Sequence, residues 1–274
     1  MLHQQVAVLG KPIAHSLSPV LHNAGYEAVG LSHWHYTRIE CDEHQLPTVV
    51  GGADASFRGF SVTMPGKFAA LTFADEATNR ARLIGSANTL VRTDSGWWAD
   101  NTDCDGVIGA LRTLFEAPTK PLFDKSDWAI IIGAGGTARP TLWALAHLGI
   151  SHVTIINRSD RSKELADLIT ALGIHVDFAH LDDNISPAAV LISTVPSTAV
   201  AGHVEKLATM PLLDVIYEPW PTPLVAQAAR AGVPAVGGHV MLAHQAYGQF
   251  EQFTGQPAPK AEMWAALTAE LSGR

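Results

Sequence analysis

A lysine directly follows a predicted β-strand, at the end of the stretch GFSVTMPGK that spans residues 59–67. Phe60 and Val62 are typical of a buried strand, and the Pro65-Gly66 turn ends it. Lys67 then opens a helix, where the positive end of the helix dipole makes a cation unfavourable for stability. A suitable partner would give this lysine a chemical role, because a positioned lysine can hold a substrate oxygen and transfer a proton.

Three aspartates in the stretch ADNTDCDG could supply that partner. Asp100, Asp103 and Asp105 are expected in a turn that follows a predicted β-hairpin. A lysine–aspartate pair in a closed cleft could hold a substrate hydroxyl or carbonyl and pass a proton. A salt-bridged turn is the alternative, and the residues alone leave both interpretations open.

Two serines and two amides are further candidates for substrate contacts. Ser16 and Ser18 lie two residues apart in PIAHSLSP, beside a predicted helix start, where their hydroxyls could bind a carboxylate. An N-cap with a turn serine is the simpler interpretation, and the spacing alone favours it. The isolated amides of Asn88 and Gln245 predict little by themselves.

A glycine-rich turn lies between the apolar strand WAIII and a helix that follows it. Glycines in this position allow backbone amides to approach a pyrophosphate closely, and the helix N-terminus adds its positive dipole. An ordinary strand–helix turn is the alternative, but the flanking strand and helix favour a dinucleotide site. The turn comprises Gly133, Ala134, Gly135, Gly136, Thr137 and Ala138, with alanine in the place of the third glycine.

The next strand ends about twenty residues further on, in TIINRSDRS, and this end favours one cofactor. An NAD site usually has an acidic residue there to bind the ribose 2′-hydroxyl, whereas this chain has Asn157 and Arg158. An arginine can stack on adenine and bind a 2′-phosphate with two hydrogen bonds. NADP is therefore favoured over NAD, with a solvated basic loop as the alternative.

The composition excludes several classes of protein. The chain has 274 residues, of which 47% are hydrophobic and 16% charged, and its net charge is −8 without any basic block. Nucleic acid is therefore not an expected partner. Two cysteines without a C-x-x-C motif predict a cytoplasmic protein that has no zinc site or redox pair, and neither a signal peptide nor a membrane span is expected. His33 and His35 lack a third ligand on their strand, so no metal site is predicted.

Short apolar strands alternate with helical patterns along the chain, which predicts an α/β fold with largely parallel sheets. A helix is expected at residues 18–30, capped by Ser18. Two domains are predicted: an N-terminal α/β substrate domain of residues 1–104 plus 239–274, and a Rossmann-type dinucleotide-binding domain of residues 105–238. If the helical tail returns to the first domain, the two domains face one another across a cleft.

The motifs taken together resemble those of the shikimate dehydrogenase family. The resemblance covers nearly the whole chain, and several short motifs recur in order at plausible spacings. They are LGKPIAHSLSP, GFSVTMPGK, IGSANTLV, ADNTDCDG, GAGGTAR, NRS, DVIYEPWPTPL and GGHVMLAHQA. The family resemblance implies a reversible hydride transfer in which NADPH reduces 3-dehydroshikimate to shikimate, in aromatic amino acid biosynthesis.

The resemblance also implies roles for individual residues. Lys67 and Asp103 match the family's catalytic pair, and Ser16 and Ser18 match the serines that bind the substrate carboxylate. Further substrate contacts are implied for Thr63, Asn88, Tyr217 and Gln245, and cofactor contacts for Gly133, Ala134, Gly135, Gly136, Thr137, Ala138, Asn157, Arg158, Thr194, Gly238 and Met241.

The chain departs from the family pattern beside the lysine. The usual N-V-T-x-P-x-K is S-V-T-M-P-G-K here, so Ser61 replaces an asparagine. A serine is shorter and lacks the amide, which puts any support that the asparagine gives to the turn in doubt. The basic stretch reads NRS where NRT is more common, and it keeps the arginine.

Three other functions are compatible with parts of the pattern. A quinate/shikimate dehydrogenase of broader specificity shares the fold, although Arg158 argues against relatives that prefer NAD. A methylene-tetrahydrofolate dehydrogenase also uses a lysine and an NADP domain, but it gives no reason for the paired serines. A non-catalytic sensor of shikimate or NADP could keep the pocket, although retention of Lys67 and Asp103 disfavours it. A monomer or a homodimer is expected.

Overall fold

A computed structural model describes residues 3–117, 122–124 and 126–273. The chain forms two compact units, a terminal unit of Met1–Thr102 with Gln245–Arg274 and a central unit of Asp103–His244. The predicted α/β fold in two domains is confirmed. The sequence placed the domain limits at 104/105 and 238/239, and the compact units change at 102/103 and 244/245.

The terminal unit contains a mixed six-stranded sheet in the order β2-β1-β3-β5-β6-β4. Its strands are β1 (Gln4–Gly10), β2 (Trp34–Glu40), β3 (Phe57–Val62), β4 (Glu76–Ala77), β5 (Thr89–Thr93) and β6 (Gly96–Asp100). Strands β5 and β6 form the predicted antiparallel hairpin, and β3 pairs with β1 in parallel and with β5 in antiparallel orientation. Leu9, Phe60 and Leu90 pack in the core beneath these strands.

The helices of the terminal unit are α1 (Ser18–Ala28), α2 (Leu46–Gly51), α3 (Lys67–Phe73), α4 (Asn79–Ile84) and α11 (Lys260–Ser272). Helix α1 corrects one prediction, because Ser18 is its first residue and Leu17 occupies the N-cap position. The backbone N–H of Ser18 instead donates to Oγ of Ser16 over 3.3 Å. Ser16 therefore satisfies the first free amide of the helix, and the N-cap position itself provides no side-chain hydrogen bond.

The central unit contains a fully parallel six-stranded sheet. Its strands are β7 (Trp128–Ile132), β8 (His152–Ile156), β9 (His175–Ala179), β10 (Val190–Ser193), β11 (Leu212–Asp214) and β12 (Ala235–Gly237). From one edge to the other the order is β9-β8-β7-β10-β11-β12. In terms of chain order this is the 3-2-1-4-5-6 arrangement of a dinucleotide-binding fold, with its switch point between β7 and β10.

The helices of the central unit are α5 (Asp103–Leu114), α6 (Ala138–His147), α7 (Ser162–Leu172), α8 (Val204–Leu207) and α9 (Pro223–Arg230). Short 3₁₀ turns occupy Ser197–Ala199 and Ala201–His203. Helix α10 (Gly238–Thr254) begins in the central unit and ends in the terminal unit. Within the described part of the chain, no helix combines the length and the apolar character that crossing a membrane requires.

Candidate active site

The turn that carries Lys67 is held tightly in the terminal unit. The Thr63 amide donates to the carbonyl of Leu9 over 2.8 Å, and the Gly66 amide donates to the Thr63 carbonyl over 2.9 Å. A Cβ on Gly10 would lie 2.4 Å from the Thr63 side chain, so only glycine permits this close approach. Lys67 is the first residue of α3 and is half-buried. The turn thus fixes Thr63 and Lys67 at one end of β3.

The Lys67 backbone also positions the segment that leads to Asn88. The carbonyl of Lys67 accepts a hydrogen bond from the Ala87 amide over 2.9 Å. Asn88 is 2% exposed, and its amide nitrogen donates to Oγ1 of Thr102 over 3.0 Å and to Oε1 of Gln245 over 3.4 Å. Two of the amides that the resemblance assigned to substrate are therefore neighbours, although 157 positions separate them.

A buried row of hydrogen bonds connects Asn88 to Ser61. The Ser61 hydroxyl donates to Oε1 of Gln249 over 2.8 Å. The Gln249 side-chain amide donates to the carbonyl of Asn88 and to Oγ1 of Thr89, over 2.9 and 3.0 Å. Thr89 in turn donates to the Asn88 side chain over 2.8 Å. Ser61 and Gln249 are 4% and 1% exposed, so these bonds are shielded from water.

The same row continues to the two serines through Tyr36. The Tyr36 hydroxyl donates to Oγ of Ser61 over 2.6 Å and is also hydrogen-bonded to Ser18. Ser16 donates to Ser18 over 3.3 Å, and the Ser16 carbonyl accepts from Nε and Nη2 of Arg38. Burial raises the pKa of the Tyr36 hydroxyl far above its ordinary value, so it stays a neutral donor. We call this set of residues the polar row: Ser16, Ser18, Tyr36, Ser61, Gln249, Thr89, Asn88 and Gln245.

Tyr36, Thr89 and Gln249 are the members of the polar row that the sequence interpretation missed. The sequence held a signal for Tyr36 and for Gln249. The alternation in WHYTRIE turns Tyr36 to the buried side of β2, and Gln249 lies one helical turn after Gln245 on α10. Ser61, which stands where the family pattern has asparagine, contacts the side-chain amide of Gln249.

The three aspartates of ADNTDCDG do not share one environment. Asp100 ends β6 and binds Arg80 through both carboxylate oxygens, over 2.7 and 2.5 Å. Burial acts to raise the pKa of Asp100, but the hydrogen bond and charge of Arg80, together with Thr78, lower it below its ordinary value. Asp103 and Asp105 lie in the first turn of α5 rather than in the expected turn. Asp100 is therefore part of a structural ion pair.

Two of the predicted substrate-site residues lie in the central unit. Asp103 is the first residue of that unit and is 5% exposed. Tyr217 lies in the loop after β11 and is half-buried. Lys67 belongs to the terminal unit, so the pairing of Lys67 with Asp103 stays a prediction.

The glycine-rich turn has the expected place between β7 and α6. Gly133 has a φ of +103°, and a Cβ there would lie 2.5 Å from Oγ1 of Thr194. A Cβ added to Gly135 or Gly136 would meet no heavy atom of the described residues within 4 Å, so space is open beside their backbone. Thr194 donates to the carbonyl of Ile132 over 2.8 Å, which attaches the end of β10 to the turn. This arrangement fits the pyrophosphate of a dinucleotide.

Three further predicted cofactor residues of the central unit belong to helices α6 and α10. Ala138 is the first residue of α6, while Gly238 is the first residue of α10 and Met241 is buried within it. A Cβ on Gly238 would lie 1.9 Å from the carbonyl oxygen of Val215, so glycine lets α10 start directly against that backbone.

Asn157 and Arg158 follow β8, and Asn157 lines a surface cavity of about 280 Å³. The Asn157 amide donates to the carbonyl of Ser159 over 2.8 Å, which fixes the loop around Arg158. Arg158 is exposed and, among the residues that the structure describes, has no hydrogen-bond or ion-pair partner. Arg161 instead binds Glu164 over 2.7 Å. Residues lining the cavity include Asn157, Ser159, Ser162, Phe178 and His180.

Three family models match successive parts of the chain. A model described as the shikimate dehydrogenase substrate binding domain matches residues 8–90. A model described as shikimate / quinate 5-dehydrogenase matches residues 120–212, and one described as the shikimate 5′-dehydrogenase C-terminal domain matches residues 238–268.

Individual relatives match over almost their whole lengths. The chain is 37% identical to a shikimate dehydrogenase (NADP(+)) of Maricaulis maris, over 97% of this chain and 96% of the relative. The crystal structure of Mycobacterium tuberculosis shikimate dehydrogenase is 50% identical, with a TM-score of 0.88, and covers 97% of this chain and 99% of that one. A Thermus thermophilus shikimate 5-dehydrogenase in complex with NADP(H) and shikimate is 27% identical, with a TM-score of 0.78 and coverage of 98% and 99%.

Proposed function

Because the chain belongs to the shikimate dehydrogenase family, we propose that it is an NADP-dependent oxidoreductase that interconverts 3-dehydroshikimate and shikimate in aromatic amino acid biosynthesis. The observation that carries this proposal is the polar row, whose ends hold two serine hydroxyls and two side-chain amides. Such a set of neutral donors and acceptors suits a small carboxylate that carries several hydroxyls.

The polar row supports distinct roles for its two ends. Ser16 and Ser18 lie beside the amino end of α1, where hydroxyls and helix amides favour the substrate carboxylate. Asn88 and Gln245, which contact each other, are assigned to the ring hydroxyls, and so is Thr63 on the turn after β3. The buried bonds behind these groups fix their rotamers, which lowers the entropy lost when substrate binds. Tyr217 is a third contact for the carboxylate.

The reaction needs a proton at the substrate oxygen, and Lys67 and Asp103 are the groups proposed to handle it. Lys67 starts a helix at the end of a fixed turn, so its ammonium can be held at one place beside the ring. In the reducing direction, the pair delivers a proton to the ketone oxygen, and in the reverse direction it accepts the hydroxyl proton. When bound, the nicotinamide cofactor supplies or accepts the hydride.

The central unit is proposed to hold NADP. The open space beside Gly135 and Gly136 suits the pyrophosphate, and Thr194, Gly238 and Met241 are assigned to the nicotinamide side. Arg158 is exposed, and its described surroundings leave its guanidinium available for the 2′-phosphate. A carboxylate at this position would instead bind a 2′-hydroxyl, so the arginine supports NADP rather than NAD.

Cytoplasmic localisation and a monomeric or homodimeric state complete the proposal. Cys41 and Cys104 are both buried, and neither forms a disulfide within the described residues, which is compatible with a reducing compartment. Size-exclusion chromatography with light scattering would distinguish the monomer from the dimer.

The test follows absorbance at the reduced-nicotinamide band while purified protein receives shikimate or quinate with NADP⁺ or NAD⁺. We expect fast reduction with shikimate and NADP⁺ only. Turnover that prefers NAD⁺ or quinate would favour the broader quinate/shikimate relative. Binding of shikimate without any turnover would favour a sensor.

Arg158→Ala tests the cofactor assignment within the same assay. We expect the KM for NADP⁺ to rise about tenfold to 100-fold, the value of one or two charge-assisted hydrogen bonds, with little change for NAD⁺. Arg161→Ala is the matched control, because this neighbouring arginine already binds Glu164. Equal losses with both variants would show a general charge effect and contradict the 2′-phosphate contact.

A further inference from the structure

Three side chains that could bind a metal ion lie together on two neighbouring strands of the central unit. His152 begins β8 and His175 begins β9, and the two residues are direct partners in the parallel register. Asp177 lies two residues after His175 and therefore on the same face of β9. The pairing thus places two imidazoles and one carboxylate on one face of the sheet, at the amino ends of the strands.

The distances among these groups are close to those between ligands of one ion. Nε2 of His152 lies 2.8 Å from Oδ2 of Asp177, and Nε2 of His175 lies 3.3 Å from Oδ1. One potential ligand atom from each residue lies within 4.8 Å of the others. Ligand atoms that are about 2.0–2.2 Å from a tetrahedral zinc ion are separated by roughly 3.2–3.6 Å. Small side-chain rotations would therefore bring all three groups onto one ion.

The exposure of the cluster also suits a metal ion. The side chains of His152, His175 and Asp177 are 40%, 69% and 57% exposed, which leaves a path for the ion and for water as a further ligand. An ion pair so exposed contributes little stability by itself.

We propose that His152, His175 and Asp177 form a binding site for a divalent transition-metal ion such as Zn²⁺. Two nitrogen ligands and one oxygen ligand favour Zn²⁺, Ni²⁺ or Cu²⁺ over Mg²⁺ or Ca²⁺. The ion joins β9, the edge strand of the sheet, to its neighbour β8. The site is structural rather than catalytic, because it lies about 16 Å along β8 from Asn157, at the opposite end of the strand.

The proposal is independent of the dehydrogenase assignment, and a metal titration tests it directly. Protein without a histidine tag is first treated with EDTA, dialysed, and titrated with Zn²⁺ in a calorimeter. We expect saturable binding of about one equivalent with micromolar or tighter affinity, and no comparable binding of Mg²⁺. Binding of Zn²⁺ should also raise the Tm, since the folded strands hold the three ligands together and the unfolded chain does not.

Variants identify the ligands. His175→Ala and Asp177→Asn should each weaken Zn²⁺ binding at least about tenfold, because loss even of groups that only support ligands often costs that much. The control changes the other histidine pair, His33→Ala with His35→Ala, and should bind Zn²⁺ as the unmodified protein does. Circular dichroism confirms that each variant is folded.

Cobalt substitution provides a second measurement on the same variants. Co²⁺ bound by nitrogen and oxygen ligands should give a visible absorption band that His175→Ala weakens or abolishes. The proposal is wrong if Zn²⁺ binds only at millimolar concentration, if the cluster variants bind it unchanged, or if the His33/His35 variant loses the binding.

Discussion

At the scale of the single residue, the chemistry of the proposed site depends on Lys67. The turn after β3 fixes its backbone through the Thr63 and Gly66 hydrogen bonds, and its carbonyl holds the Ala87 amide. Gly10 allows this turn to form, because a Cβ at position 10 would collide with Thr63. A lysine that only filled a surface position would not need a turn held in this way. The support is that expected of a group whose position matters for proton transfer.

Lys67→Ala should lower kcat about 100-fold to 10,000-fold, which is the usual contribution of a positioned acid–base group. The KM for shikimate should change much less, since the proposed substrate contacts of Ser16, Ser18 and the amides are unchanged. Steady-state kinetics with shikimate and NADP⁺ measures both parameters. Asp103→Asn is expected to show the same pattern if the two groups act together.

A large rise in KM with an unchanged kcat would contradict the catalytic role of Lys67 and leave a binding role. Lys67→Arg separates charge from proton transfer, because arginine keeps the positive charge but does not release a proton near neutral pH. We expect this variant to bind shikimate well and to turn it over slowly.

At the scale of the element, the polar row joins β2, β3, β5 and helix α10 within the terminal unit. Ser61 accepts from Tyr36 and donates to Gln249, so its hydroxyl both donates and accepts. Ser61 thus depends on Gln249 of α10 as the acceptor for its hydroxyl proton. Substituting Ser61 and Gln249 together should therefore cost less than the sum of the two single substitutions.

Ser61→Asn should destabilise the protein by about 1–3 kcal/mol, because the larger side chain overpacks against the buried Gln249. It should also raise the KM for shikimate more than it lowers kcat, since Gln249 holds the Asn88 carbonyl and Thr89. Adding Gln249→Ala should recover part of both losses. Urea unfolding and steady-state kinetics measure the four proteins of this double-mutant cycle.

Additive effects in that cycle would mean that Ser61 and Gln249 act independently, contrary to the expected coupling of about 0.5–3 kcal/mol. Gln256→Ala provides a control just beyond α10, because this glutamine is exposed. It should change neither stability nor KM.

A second structural feature at this scale is the ion pair between Arg80 of α4 and Asp100 of β6. Asp100 also accepts from Thr78 and from Gln252 of α10, and its side chain is 2% exposed. Its folded pKa is lowered, so the pair contributes stability above the unfolded pKa of about 3.9. This contribution is lost as the pH falls through the folded pKa.

Arg80→Gln should lower the free energy of unfolding by about 3 kcal/mol at pH 7, because a buried carboxylate loses its charged partner. The difference from the unmodified protein should shrink below about pH 4, as the carboxylate becomes protonated. Urea unfolding at pH 7, 5 and 3.5 measures this trend. A difference that is constant over this range would contradict the ion-pair explanation.

Lys11→Gln is the matched control for the Arg80 variant. Lys11 also binds an aspartate, Asp42, over 3.1 Å, but the lysine side chain is 48% exposed. Solvent screens such a pair, so we expect little change in stability at any of these pH values.

At the scale of the whole molecule, local patterns predicted the elements and long-range contacts escaped prediction. The hairpin of β5 and β6, the glycine-rich turn before α6 and Arg158 after β8 each depend on neighbouring residues, and sequence patterns identify such features. The contact of Ser61 with Gln249 joins residues 188 positions apart. The cluster of His152 with His175 depends on strand register, which alternation alone does not specify.

The start of α1 and the place of Asp100 show the same limit at shorter range. The sequence suggested Ser18 as a cap, but Pro19 is compatible with a helix that already starts at Ser18, and Ser16 binds the free amide. Asp100 looked equivalent to Asp103 in ADNTDCDG. Only the folded hairpin brings it to Arg80, which turns a candidate catalytic group into a structural one.

Two compact units with separate cores predict that each ligand stabilises mainly the unit that holds most of its contacts. NADP⁺ at about 100 times its Kd should stabilise its unit by about 2.7 kcal/mol, which slows amide exchange through unfolding about 100-fold. We therefore expect NADP⁺ to protect peptides of β7, β8 and α6, and shikimate to protect peptides of β1, β3 and β5. Hydrogen–deuterium exchange with mass spectrometry measures each peptide.

Arg158→Ala is the control variant for this experiment. At the same NADP⁺ concentration it should lose protection of the central unit, whereas shikimate should still protect the terminal unit. Equal protection of both units by either ligand alone would mean that the chain unfolds as one cooperative body and would contradict the division of binding between the units.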